Sequence, residues 1–224
     1  MLLAIPGVLN AAQLDKIRES LADARFVDGR LTAGRAAARV KNNEELEPDP
    51  RIHQRITRIA MSALGHNADF RNAALPHRMA DFIVARYQPG MTYGDHVDDP
   101  IMGNAGPRFR SDVSMTLFLN PPDSYDGGEL VIRSAFGDRH VKLAAGDAVV
   151  YPSSSVHQVA PVTRGERLVI LTWIQSYVRD AARRELLFEL NRAREHLLAE
   201  DPDADTTKYV DRSYANLLRM WAEV

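Results

Sequence analysis

The sequence contains no cysteine. Disulfides and thiolate metal sites are thereby excluded, so any bound metal must rest on His, Asp, Glu or backbone oxygen. Nor is there an apolar run near the roughly 18 residues that a membrane-spanning helix requires. The opening segment, Met1-Leu-Leu-Ala-Ile-Pro6, is apolar but short, has no basic stretch and does not read as a secretion signal. No charge of one sign dominates: 28 Lys and Arg stand against 30 Asp and Glu. That balance fits neither a dedicated nucleic-acid binder nor a charged disordered tail. Repeats and low-complexity tracts are missing. Gly127 and Gly128 lack the Lys-Ser/Thr and the following helix of a phosphate-binding loop. These absences leave a cytoplasmic protein with no membrane partner as the expectation. Its 224 residues, 45% of them hydrophobic, suffice for one core with a helical annex.

Residues 2–9 read as a short strand. Asn10 then caps a helix, with Gln13 at the capping-box position and Leu14, Ile17 and Leu21 as its apolar stripe. Residues 26–41 are irregular, broken by Gly29 and Gly34. The polar stretch Lys41–Glu45 reads equally as a turn and as a ligand contact. Pro50 suits the first turn of a second helix, with Ile52, Ile56, Ile59, Ala60 and Ala63 as its buried face. Residues 67–78 read as a polar loop. Residues 1–79 are therefore expected to be mainly helical cladding on the sheet that follows.

From residue 80 the hydrophobic period becomes that of strands. Candidates run over 82–87, 112–119, 129–133, 140–143, 148–151, 156–161 and 168–175, separated by turn signals such as Pro89-Gly90 and Ala145-Gly146-Asp147. No long helical pattern intervenes, which excludes βαβ units. The expected fold is mainly β with helical cladding: antiparallel sheets packed as a sandwich or jelly roll over 80–176. Gly127 and Gly128 read as a turn that lets strands approach closely. Residues 99–111 read as a long loop beside the candidate metal site, equally a lid or a solvated segment, whose Arg108 and Arg110 could meet an anionic substrate. Residues 177–224 read as a helical hairpin with one stripe on Val178, Ala182, Leu186, Leu190, Ala193 and Leu197. The stripe of the second helix falls on Val210, Tyr214, Leu217, Leu218 and Trp221. The hairpin could cover the barrel, form a homodimer contact, or do both.

The chemistry centres on His96-Val97-Asp98. On a strand, residues two apart share a face, so one imidazole and one carboxylate can reach the same ion. His157, at the start of a strand-like segment, is the best third ligand. The other histidines (His53, His66, His77, His140 and His196) have no companion at such spacing. Two His and one carboxylate form a facial triad with open positions, which suits non-haem Fe(II); the same set would also accept zinc. Arg167 shares a strand face with Val169, Leu171 and Trp173. If that face is the interior, its guanidinium needs an anionic partner, and a carboxylate bound by two hydrogen bonds fits.

Together these residues resemble the Fe(II)/2-oxoglutarate-dependent dioxygenases. Arg86-Tyr-Gln-Pro-Gly-Met-Thr-Tyr-Gly-Asp-His-Val-Asp98 is similar to the prolyl 4-hydroxylase branch, as are Leu119-Asn120 and Tyr125-Asp-Gly-Gly-Glu-Leu130. The resemblance to the bacterial PKHD-type, PiuC-like hydroxylases is closer. It includes Thr32-Ala-Gly34, Val40-Lys-Asn-Asn43, Tyr151-Pro-Ser-Ser-Ser155 with Val156-His157, and Arg167 leading into Thr172-Trp-Ile-Gln-Ser176. It implies a double-stranded β-helix core, with His96, Asp98 and His157 as iron ligands and Arg167 as the anchor of the far carboxylate of 2-oxoglutarate. Tyr87 matches a tyrosine that can bond the co-substrate. Oxidative decarboxylation to succinate and CO2 would be coupled to hydroxylation of an unactivated C–H, with ascorbate as supporting reductant. The substrate, a small molecule or peptide, is left open between prolyl- or lysyl-type targets and an iron-uptake metabolite. One departure is that Leu117 and Phe118 stand where relatives often have an assisting tyrosine, leaving Tyr87, Thr116 or Ser114 as substitutes. Alternatives are a demethylase-type oxygenase acting on nucleic acid, a non-catalytic cupin-like binding module and a zinc hydrolase. The first is disfavoured by Trp173, where that group carries a further arginine.

Overall fold

Antiparallel pairing alone builds the centre of the molecule, whose computed structural model describes residues 1–103 and 108–224. The larger sheet runs in the order Leu3–Ile5, Ala148–Pro152, Val113–Phe118, Arg167–Ser176, Ile83–Tyr87, Glu44–Leu46 and Phe26–Asp28. Pro76–Met79 pairs with the far end of Arg167–Ser176. The smaller sheet runs Arg139–Val141, Leu130–Ile132, His157–Val159, Thr92–His96 and Lys41–Asn42. The two sheets face each other as a jelly roll, as the strand pattern predicts.

Alternation along the central strands explains the layering. Met115, Leu117, Val150, Leu168 and Ile170 turn outward into the core shared with the helices. Phe118, Val149, Tyr151 and Val169 turn inward toward Leu130, Ile132 and Val159 of the smaller sheet. Both faces of Val113–Phe118 and Arg167–Ser176 are thus covered, which is why these strands read as long apolar runs.

Helix α1 is Ala11–Leu21. Its capping box is formed as expected: Asn10 accepts from Gln13 N and Gln13 accepts from Asn10 N, both at 2.9 Å. Helix α2, Pro50–His66, starts on Pro50 and buries Ile56, Ala60, Ala63 and Leu64. Both pack on the outer face of the larger sheet.

Several expectations are corrected. Residues 67–78 are a helix and a strand, not a loop. Helix α3 spans Ala68–Ala74, capped by Asn67, and buries Phe70, Ala73 and Ala74 at helical spacing; the strand Pro76–Met79 follows it. The N-terminal third also supplies strands to both sheets, because Lys41–Leu46 crosses from the smaller sheet to the larger one. The segment 99–111 carries two short paired strands, Ile101–Met102 and Phe109–Arg110. The middle of that segment lies outside the described residues.

The C-terminal hairpin is present as helix α4, Ala181–Glu200, and helix α5, Asp205–Trp221. The packing face of α4 is different from the expected one. It buries Arg184, Leu187, Phe188 and Asn191, while Leu186 is 56% exposed. Arg184 explains the displacement. Its guanidinium donates to Val178 O and Arg179 O, each at 2.7 Å, and so takes a buried position that a hydrophobic pattern assigns to leucine. Tyr214, Leu217, Leu218 and Trp221 of α5 pack on Leu75, Val178 and Leu187. No described helix is long and apolar enough to cross a membrane.

Candidate active site

A cavity of about 290 Å³ opens between the two sheets, and His96, Asp98, His157, Arg167 and Tyr87 all line it. The geometry unites every site residue expected from the sequence.

His96 ends the strand Thr92–His96, and His157 starts the strand His157–Val159 directly opposite. The pairing carries a bulge: His157 faces His96, but Val159 faces Tyr93, so the first strand has one extra residue. In a regular strand residues three apart point to opposite faces. The bulge brings Tyr93 onto the His96 side, where the two rings stack with centroids 3.6 Å apart and planes 10° from parallel.

Each histidine is held by its Nδ1, which lies 2.8 Å from Gly94 O in His96 and 3.0 Å from Ser155 O in His157. A carbonyl can only accept, so Nδ1 carries a proton in both rings and Nε2 is the nitrogen turned toward Asp98. Nε2 of His96 lies 3.9 Å from Asp98 Oδ1, and Nε2 of His157 lies 3.8 Å from Asp98 Oδ2. One ligand atom from each of the three residues falls within 4.8 Å of the others, the span of a single ion's coordination shell. Burial, followed by repulsion from His157, pushes the His96 imidazole down to about 4, so it is neutral at ordinary pH, the form a metal requires.

Arg167 occupies the other end of the cavity. It begins the strand Arg167–Ser176, lies opposite Tyr87, and is 1% exposed. Its guanidinium lies 5.1 Å from the Tyr87 ring centroid and 5.6 Å from that of Phe118. Among the described residues no carboxylate pairs with it, and Nε and Nη1 have no hydrogen-bond partner. Leaving a buried cation unpaired costs several kcal/mol, so this arrangement calls for an anion. The Tyr87 phenol is pushed up to about 12 by burial, and it stays a hydroxyl.

The two glycines expected to allow close approach do so, both at positive φ. A Cβ on Gly127 would lie 2.0 Å from Pro161 O. One on Gly128 would lie 3.1 Å from Arg167 Cδ and 3.2 Å from Tyr125 Cε2. Gly128 therefore makes room for the stem of Arg167 itself.

Sequence reasoning missed three features. The Tyr125 hydroxyl is buried without a partner and its ring lies beside the Arg167 stem; the tyrosine in Tyr125-Asp-Gly-Gly was the available signal. Lys41 and Glu45 form a buried ion pair on the cavity wall at 2.5 Å, and Thr32 Oγ1 donates to Glu45 at 2.7 Å. Ser114, one of the proposed substitute hydroxyls, is bonded instead to Asp98 at 2.5 Å. Tyr87 and Thr116 do line the cavity. Arg110 is committed to Asp112 at 2.7 Å and Glu223 at 3.1 Å, not to a substrate anion.

A buried His-Asp-His group and an unpaired arginine in one jelly-roll cavity are the hallmarks of an oxygenase that uses iron and a dicarboxylate. Residues 82–175 match the model of the 2OG-Fe(II) oxygenase superfamily. Residues 180–223 match that of the PKHD-type hydroxylase C-terminal domain. A PKHD-type hydroxylase of Thioalkalivibrio sulfidiphilus is 52% identical over 224 residues, covering 100% of both chains. Among solved structures, a Trichoplax adhaerens prolyl hydroxylase, in complex with a peptide fragment of hypoxia inducible factor, aligns with TM-score 0.60. It has 17% identity, over 83% of this chain and 86% of its own. HygX from Streptomyces hygroscopicus, with nickel and 2-oxoglutarate bound, aligns with TM-score 0.55. It has 14% identity, over 79% of this chain and 84% of its own. These two likenesses establish the fold. The chain belongs to the PKHD-type hydroxylases, within the 2OG-Fe(II) oxygenase superfamily. It is a 2-oxoglutarate-dependent dioxygenase.

Proposed function

We propose that His96, Asp98 and His157 hold the Fe(II), that Arg167 receives the C5 carboxylate of 2-oxoglutarate, and that Tyr87 adds a hydrogen bond to the same co-substrate. The observation that carries this reading is the buried guanidinium of Arg167, unpaired in the cavity that also holds the triad. A zinc hydrolase or a plain binding module would give that cation no partner.

An Fe(II) ion held by His96, Asp98 and His157 would supply the activation of O2 that is coupled to oxidation of 2-oxoglutarate. The chain supplies position. The Nδ1 bonds to Gly94 O and Ser155 O fix both imidazoles, and the strand pairing of Arg167 with Tyr87 fixes the anchor. Leu130, Val159 and Leu171 give the same cavity apolar walls. The product is an alcohol at a formerly unactivated C–H of a small molecule or peptide, with succinate and CO2 released and ascorbate keeping the iron ferrous between turnovers. On this reading the triad, Tyr87 and Arg167 all fall within a catalytic core of residues 80–176, flanked by 1–79, which adds Lys41 and Glu45 to the cavity wall, and by 177–224. Exposed Leu186 and Met220 on the C-terminal helices support a homodimer contact there, which the molecular mass in solution tests.

Succinate release tests the central assignment. It should require Fe(II), 2-oxoglutarate and O2, and Arg167→Ala should raise the 2-oxoglutarate requirement while iron binding persists. Turnover without O2 would favour the hydrolase. An unchanged requirement in the variant would reduce Arg167 to a structural role.

A further inference from the structure

Asp98 has two carboxylate oxygens, and the protein treats them differently. We infer that Ser114 is a positioning residue that restricts Asp98 to one-oxygen ligation of the ion, with Ser153 orienting the Ser114 hydroxyl. The inference rests on the triad reading above and adds a residue that the reading does not need.

Three elements converge to make the contact. Asp98 follows the strand Thr92–His96 of the smaller sheet. Ser114 lies on the central strand Val113–Phe118 of the larger sheet, and Ser153 directly follows its neighbour Ala148–Pro152. Ser114 Oγ lies 2.5 Å from Asp98 Oδ2 and 2.8 Å from Ser153 Oγ. A serine hydroxyl has one proton. The ionised carboxylate can only accept, so Ser114 gives its proton to Asp98 and receives one from Ser153. Ser153 is itself fixed, because its backbone N–H donates to Asp112 O at 3.1 Å. Ser114 and Ser153 are each 2% exposed, so water does not compete for these bonds. A short hydroxyl-to-carboxylate bond in such surroundings is among the stronger neutral-to-ion contacts.

The two oxygens are thereby made unequal. Oδ2 is engaged by Ser114, whereas Oδ1 accepts no hydrogen bond among the described residues and lies 3.9 Å from His96 Nε2. Oδ1 is the oxygen left for the ion. A carboxylate using both oxygens would take up a coordination position that the co-substrate or O2 needs, so the serine pair keeps the third open position of a facial triad available. The register supports it: Ser114 pairs with Tyr151 and with Trp173, and both of those side chains line the same cavity.

Co(II) is the probe, because its visible bands report the ligand set without turnover. The full-length, metal-free protein would be titrated with Co(II), then with 2-oxoglutarate, alongside Ser114→Ala, Ser114→Thr and Ser153→Ala. Thermal unfolding of each metal-free protein would be recorded in parallel. We expect Ser114→Ala to weaken Co(II) by roughly 10–100-fold, the usual cost of losing an outer partner of a ligand, and to change the visible spectrum. Ser114→Thr should restore both, and Ser153→Ala should move both in the same direction by less. Wild-type affinity and spectrum in Ser114→Ala would overturn the inference. So would a loss that follows the unfolding temperature alone and is not restored by threonine. Failure of the unaltered protein to bind Co(II) would instead overturn the triad, and the role of Ser114 with it.

Discussion

His157 lies directly across from His96 in the antiparallel pairing of the smaller sheet, and the carboxylate of Asp98 stands 3.9 Å from one Nε2 and 3.8 Å from the other. The proposed ligand set is therefore built on a backbone ladder, and only Asp98 reaches it from beyond the strand ends. Its charge is the one anionic contribution to the triad. Asp98→Ala should cost more metal affinity than the roughly 10–100-fold typical of an outer partner. Metal titration checks this, and unchanged affinity and turnover in the variant would sink the triad.

Gly128 links the turn to the anchor. Gly128→Ala would force a side chain into positive φ, with its Cβ 3.0 Å from Val162 Cγ2 and 3.1 Å from Arg167 Cδ. The strained backbone alone should cost about 1–3 kcal/mol of stability. Displacement of the Arg167 stem should in addition weaken 2-oxoglutarate binding while leaving Fe(II) affinity near that of the parent. Denaturant unfolding and co-substrate titration separate the two effects. A variant with lowered stability but normal co-substrate affinity would show that the glycine serves the turn only.

The buried pair of Lys41 and Glu45 joins the strand of the smaller sheet to that of the larger one. Glu45→Leu would leave the Lys41 ammonium buried without its partner, at a cost of about 3–5 kcal/mol. Replacing both, as Lys41→Met with Glu45→Leu, should be milder than the single change, because no lone charge remains. Chemical unfolding of the two variants decides it. Equal losses would mean that packing, not charge, accounts for the effect.

The central strands were legible because they are long apolar runs bounded by turn signals. Arg167 could be placed on one face with Val169, Leu171 and Trp173 from the sequence, though only the structure shows that face to be the interior, and the cap at Asn10 could be read from its Gln13 partner. Apart from Leu3–Ile5, which falls within the expected strand 2–9, the N-terminal strands escaped because segments such as Lys41–Asn42 and Glu44–Leu46 are too short to show a period and gain their pairing from distant partners. Helix α3 has one large apolar residue, Phe70, and its two buried alanines, Ala73 and Ala74, do not stand out. The face of α4 was misplaced because buried Arg184 and Asn191 break the hydrophobic pattern. In the site, the residue types were readable but their meeting was not. The bulge that stacks Tyr93 on His96 and the Ser114 bond to Asp98 both depend on strand register, which no spacing in the chain records.

The most direct measurement is anaerobic. The protein is loaded with Fe(II), 2-oxoglutarate is added, and the weak visible charge-transfer band of the chelate is followed, with Arg167→Ala beside it. The account predicts a band in the parent, and in the variant a band that needs far more 2-oxoglutarate to reach the same intensity. Stoichiometric iron with no band in the parent would contradict it and remove 2-oxoglutarate from this cavity.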